Sequence, residues 1–121
     1  MIAIALATAA AFNLVCTGTT FIGGVRKENQ SPFNETYRLD LSAKRWCAGS
    51  CPRTNEILSA DERSIMLKND SDEKVNFESF ILLNREDGSV LDRTKIDGQL
   101  WVMNSGRCER AVFSGFPARK F

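Results

Sequence analysis

The side chains of this chain best suited to chemistry are four cysteines, Cys16, Cys47, Cys51 and Cys108, and their spacing narrows what they can do. A dithiol redox pair is normally separated by two residues and sits at a helix N-terminus, where the dipole lowers the thiol pKa. Cys47 and Cys51 are separated by three residues, follow a strand-like stretch and precede Pro52. That context fits a structural disulfide closing a tight loop. Zinc would draw its thiolates from two close pairs, and neither Cys16 nor Cys108 has a near partner in sequence. An even set in a short chain reads instead as a disulfide framework. Of the connectivities open to it, Cys47 with Cys51 and Cys16 with Cys108 is the expected one. The second bond joins the first strand to the last, and closing so long a loop constrains the unfolded chain by roughly 4 kcal/mol.

The chain contains no histidine. No Ser-His or Cys-His nucleophile can be built, and no imidazole serves as acid or base near neutral pH. Carboxylate chemistry of the glycosidase kind stays open. Yet none of the fifteen acids stands in a distinctive apolar setting, and Asp40, Glu78 and Asp92 fall on what reads as the solvated face of a strand. Gly23-Gly24 lacks the downstream Gly-Lys-Ser/Thr of a phosphate loop. No metal, cofactor or catalytic set is expected. A formal charge of +1 gives no electrostatic reason to expect nucleic acid or an acidic membrane surface as partner. Basic residues mostly neighbour acids, as in Arg26-Lys27-Glu28, Asp61-Glu62-Arg63 and Asp72-Glu73-Lys74, and read as solvated loop charges. Tyr37, Trp46, Trp101 and the eight phenylalanines are expected mainly in the core, with the Trp46 indole packed on the neighbouring disulfide.

The elements that hold these residues begin with a leader. Ile2 to Ala11 is apolar and alanine-rich, too short for a membrane-spanning helix, and Ala9-Ala10-Ala11 supplies the small residues of a signal-peptide cleavage site. Residues 1–11 are therefore read as a signal segment and 12–121 as one domain, exported to the periplasm or secreted. Two rivals share this stretch: a buried first element, and a lipoprotein attached through Cys16. The second is disfavoured by the bulky Val15 before the cysteine and by the odd number of thiols that lipidation would leave.

In the domain, Phe12 to Cys16 reads as a short buried strand and Thr17 to Pro32 as a loop. Tyr37 to Ser42 alternates strictly, the period of a half-buried strand. Ile57-Leu58 and Ser64 to Lys68 are further short runs, and Asn69 to Asp72 reads as a turn. Lys74 to Asn84 is the longest strand candidate, favoured over a helix by its phenylalanines and valine. Asp87-Gly88 and Asp97-Gly98 sit at hairpin positions, flanking a strand from Ser89 to Ile96. Gln99 to Met103 follows, and Asn104-Ser105-Gly106 is expected to turn into a last strand carrying Cys108. Short strands with frequent turns and no helical stripe predict a mainly β fold, a small antiparallel barrel or sandwich.

The order Phe12-Asn-Leu-Val-Cys16-Thr-Gly18, Tyr37-Arg-Leu-Asp-Leu41, Trp46-Cys47 with Cys51, Asn84-Arg85 before Asp87-Gly88, and Gly106-Arg-Cys108 with Phe113-Ser-Gly115 resembles small exported alphaproteobacterial proteins of unknown function. The resemblance spans nearly the whole mature chain. It implies compartment and architecture and carries no activity. The functional expectation is a non-enzymatic binding or structural domain whose partner is an envelope protein or a small ligand. A carboxylate-dependent enzyme and a lipid-anchored envelope protein are its alternatives.

Overall fold

A computed structural model describes residues 10–118. It contains nine strands: β1 (Ala11–Ile22), β2 (Ser31–Asp40), β3 (Arg45–Ala48), β4 (Asn55–Glu56), β5 (Ser59–Ala60), β6 (Ser64–Asp72), β7 (Phe77–Asn84), β8 (Ser89–Ile96) and β9 (Gln99–Ala111). They form one antiparallel sheet in the order β4-β3-β2-β1-β9-β8-β7-β6-β5. Every neighbour is therefore adjacent in sequence except β1 and β9, which join the two halves of the meander. The sheet curls into a half-barrel whose outermost strands, β4 and β5, are themselves consecutive in the chain. Between them, Ile57 N–H donates to the Lys44 carbonyl at 2.9 Å and Leu58 N–H to the Met66 carbonyl at 3.0 Å. This segment links the two ends of the sheet.

The curl has one inner face, and strand alternation selects what it holds. Phe12 and Cys16 from β1, Phe33, Tyr37 and Leu39 from β2, Trp46 from β3, Ile65 and Leu67 from β6, Ile81 and Leu83 from β7 and Val90 from β8 make one buried cluster. Gly18 and Gly106 pair directly across β1 and β9. A Cβ on either would overlap the opposing backbone, the Ser105 carbonyl for Gly18 and the Thr17 carbonyl for Gly106. Two glycines in register let these two strands approach closely at this pair.

The mainly β expectation, the two disulfides and both Asp-Gly turns are present, with Asp97 (φ 54°) and Gly98 (φ 72°) in the left-handed conformation of a tight hairpin. Several boundaries differ. β1 runs on through Thr17–Ile22, and β2 starts at Ser31, not Tyr37; Gly18 marks close approach rather than a loop. Asn104-Ser105-Gly106 is not a turn but the middle of β9, for the same reason. Asn69–Asp72 continues β6, and the reversal comes one step later. There the Asp72 carboxylate accepts from Lys74 N–H at 3.0 Å and Asn76 turns the chain at φ 49°. The strand expected from Lys74 begins at Phe77. Of the expected leader, residues 1–9 lie outside the described residues; Ala11 opens β1, and the Ala10 carbonyl accepts from Leu41 N–H at 2.8 Å.

Candidate functional site

Where β1 and β6 begin and β7 and β9 end, the inner face meets solvent. Phe12 and Leu14 from β1, Ile65 from β6 and Leu83 from β7 form the floor of a cleft of about 210 Å³ there. Arg85, in the β7–β8 turn, and Arg110, near the end of β9, flank it. Each guanidinium has a fixed anchor. Arg85 Nη1 donates to the Asp61 carbonyl at 2.9 Å, and its backbone N–H to the Arg63 carbonyl at 2.7 Å. The Arg110 guanidinium lies over the Phe12 ring, 4.3 Å from its centroid, a cation–π contact that aligns charge with the apolar floor. The Cys16–Cys108 disulfide braces this end, since Cys16 and Cys108 are direct cross-strand partners with Cα atoms 3.9 Å apart. No carboxylate belongs to the cleft lining among the described residues. The acids beside it are engaged in their own turns. Asp61 accepts from the Arg63 and Ser64 amides and Asp87 from the Ser89 amide, while Glu86 pairs with Arg63 at 3.4 Å. Hydrogen bonds from the Ser64 and Arg63 amides hold the Asp61 carboxyl below the usual carboxylate range, and those from the Ser89 hydroxyl and then its amide do the same for Asp87.

A second, polar group lies further along the inner face. Asp92 stands two residues beyond buried Val90 on β8 and so shares its inward side. Asn104 is its partner on β9 and Thr20 is the partner of Asn104 on β1. Thr20 Oγ1 donates to Asn104 Oδ1 at 2.6 Å, and Asn104 Nδ2 donates to Asp92 Oδ2 at 3.4 Å. Burial pushes the Asp92 carboxyl above the usual carboxylate range, against the Asn104 amide and the Lys68 ammonium, which pull it down. Tyr37, 2% exposed, is held protonated by burial and then by the charges of Asp92 and Glu35. Of the three acids read as solvated strand positions, Asp92 is thus the correction, because the curl of the sheet puts its face inside. Glu78 is on the surface, bonded to Arg93 Nη2 at 3.0 Å, and Asp40 accepts from Ala43 N–H in the β2–β3 turn at 3.0 Å.

The four cysteines form the two expected bonds, Cys16–Cys108 and Cys47–Cys51, which leaves no free thiol among the described residues. The Trp46 indole points inward, away from Cys47, because adjacent strand residues face opposite ways. It lies against Tyr37, ring centroids 6.2 Å apart, and its N–H reaches the Glu56 and Leu67 carbonyls at 3.2 and 3.1 Å. On the outer face the C-terminal tail is strapped down. Asn13 Nδ2 donates to Ser114 Oγ, Asn13 Oδ1 accepts from Ser114 N–H, and Arg38 donates to the Gly115 carbonyl.

Neither arginine of the cleft stood out in the sequence. Arg110 carries the one readable signal: it continues the inward positions of β9, two residues past Cys108, and so puts a charge on the face that holds the core. Comparison with family models, with curated proteins and with solved structures finds no match to this chain. No helix among the described residues is long and apolar enough to cross a membrane, and two disulfides fit a compartment outside the reducing cytosol.

Proposed function

We propose that this chain is an exported, periplasmic or secreted, disulfide-stapled domain that acts by binding, and that it binds at the open end of its half-barrel. The observation that carries the reading is the cleft over Phe12, Leu14, Ile65 and Leu83 at the open end of the curled sheet, a common setting for small-ligand sites. A floor of apolar side chains fixed by a brace such as Cys16–Cys108 is suited to recognition with little reorganisation. Among the described residues its lining holds no carboxylate, which favours binding over carboxylate catalysis. The use of Cys16 in a disulfide takes its sulfur away from lipid attachment.

Methyl NMR of the oxidised domain tests this reading. Titration with small apolar-bodied molecules is expected to shift the methyl resonances of Leu14, Ile65 and Leu83 while leaving Leu39 and Leu67 in place. An unmoved spectrum across neutral, cationic and anionic compounds would contradict it.

The carboxylate-enzyme reading keeps one observation of its own, the raised Asp92 beside Tyr37. It requires that Asp92→Asn abolish a hydrolytic activity that the intact domain shows on glycosides.

A further inference from the structure

The two ends of the curled sheet meet along a seam, and a polar cleft opens there, apart from the open-end cleft. We infer that this cleft, of about 420 Å³, takes a neutral saccharide unit, its hydroxyls met by Arg53, Asn55, Asn69 and Asp70 and its C–H face by Leu58 and Trp46. The site is separate from the one proposed above, and neither reading depends on the other.

Two stiff pieces of chain build it. The first is the segment leading into β4. The Cys47–Cys51 bond closes its beginning, Arg45 Nη2 donates to the Thr54 carbonyl at 3.1 Å, and Asn55 pairs with Trp46 across β4 and β3. The tight disulfide thus gains a positional role, since Arg53 and Asn55 follow directly behind it. The second piece is β6, whose register against β7 shifts between Met66 and Lys68. A bulge of this kind re-aims the side chains beyond it. Lys68 comes to pair with Ile81 and Asp70 with Ser79, and Ile81 and Ser79 are buried, so both charged residues join the inner face. Trp46 ties the two pieces together through its indole N–H, bonded to the Glu56 and Leu67 carbonyls.

Three observations point to hydroxyls rather than to an ion. The first is spare hydrogen-bonding capacity. Among the described residues, the Arg53 guanidinium and the Asn55 and Asn69 amides make no side-chain hydrogen bond or ion pair. An amide sets a donor beside an acceptor and a guanidinium offers a fork of donors. Together they complement adjacent hydroxyls, each of which donates and accepts. The second is charge. Lys68 lies 4.0 Å from Asp70 and also offsets part of the burial that raises Asp92, so its ammonium is already matched by acids. The third is the apolar part of the lining. Leu58 is 52% exposed and shares the cleft with the Trp46 ring, which suits a ring that carries hydroxyls at its rim and C–H groups on its face. The volume falls within the range of small-molecule sites.

The test is an NMR titration of the oxidised domain with the methyl glycosides of glucose, galactose, mannose and N-acetylglucosamine. Inorganic phosphate and alanine serve as charged comparators. At least one glycoside is expected to shift the Asn55 and Asn69 side-chain amides and the Trp46 indole N–H while leaving the Leu14 methyls in place. It is expected to bind at least tenfold more tightly than phosphate or alanine, with little dependence on salt. Asn55→Ala combined with Asn69→Ala is expected to weaken that glycoside at least tenfold. Arg53→Gln, at an exposed position, is expected to weaken it several-fold with an unchanged thermal midpoint, which keeps the test decisive if the double variant does not fold. No shift with any glycoside would overturn the inference, and so would tightest binding by phosphate or alanine, which would mark a site for an ion or a zwitterion. Glycoside binding untouched by these variants, or shifts confined to Leu14 and Ile65, would also overturn it and leave the open-end reading standing.

Discussion

Gly18 and Gly106 face each other across β1 and β9, and each occupies the space in which the other strand's backbone would meet a side chain. Adding one methyl group there presses a Cβ into a carbonyl oxygen that is itself part of the ladder. Neither backbone has room to yield, since the Cys16–Cys108 bond holds the same two strands two positions away. Gly18→Ala and Gly106→Ala are each expected to cost about 3 kcal/mol or more. Gly24→Ala has open space around it and is strained only by its φ of 81°, so about 1 kcal/mol is expected. Urea unfolding of the three oxidised variants checks the ranking. A Gly18→Ala domain as stable as the parent would show that the two strands are further apart than described.

The two disulfides differ in what they constrain. Cys16–Cys108 spans 92 positions and Cys47–Cys51 only four. In the chain-entropy account, loss of the long bond costs about 4–5 kcal/mol and loss of the short one about 2 kcal/mol. Paired serine substitutions, Cys16→Ser with Cys108→Ser against Cys47→Ser with Cys51→Ser, measure this by denaturant midpoint. The larger loss is expected in the first pair.

Trp46 ties the ends of the sheet together. Its indole N–H is shared between the carbonyls of Glu56 on β4 and Leu67 on β6. Trp46→Phe keeps an aromatic ring against Tyr37 but strands both carbonyls, at a cost of about 1–3 kcal/mol. Hydrogen exchange at the Ile57 and Leu58 amides, which bond to Lys44 and Met66, is expected to quicken more than exchange in β1 or β9. Uniform acceleration would mean that the indole is not the link.

Asp92 gives a pH dependence opposite to that of most carboxylates. Its folded-state pKa is raised by burial, so between the unfolded and folded values the native state binds more protons than the unfolded one. Stability from this group is full below the unfolded value and is lost as pH rises through the raised folded value. Asp92→Asn removes the titration and still offers an acceptor to Asn104. The variant is expected to show a flatter stability profile over the mildly acidic range, and to be at least as stable as the parent at neutral pH. A steeper decline of the parent toward low pH in that range would contradict the sign.

Periodicity and turn chemistry made much of this architecture readable. Tyr37 and Leu39 alternate into the core as expected, and Asp87-Gly88 and Asp97-Gly98 turn where those pairs should. The disulfide pairing was also legible, because Cys47 and Cys51 are too near to leave any other arrangement simple. The misreadings around β1, β8 and β9 share one cause. Gly18 and Gly106 look like chain reversals when each is read alone. They are close-approach sites whose meaning exists only once β1 and β9 are paired. Asp92 was lost in the same way, since the alternation that marks a face does not say which face the curl will enclose. Arg85 and Arg110 lie 25 positions apart and become neighbours of one cleft only through the folding of the meander.

The central proposal is an exported domain whose first and last long strands are joined by Cys16–Cys108. Non-reducing peptide mapping of the protein isolated from the periplasmic or secreted fraction tests it in one measurement. The expected result is a mature chain without its apolar leader, carrying a peptide pair joined through Cys16 and Cys108 and a second bond between Cys47 and Cys51. Recovery of the intact chain in the cytosol with four free thiols would contradict both the compartment and the brace.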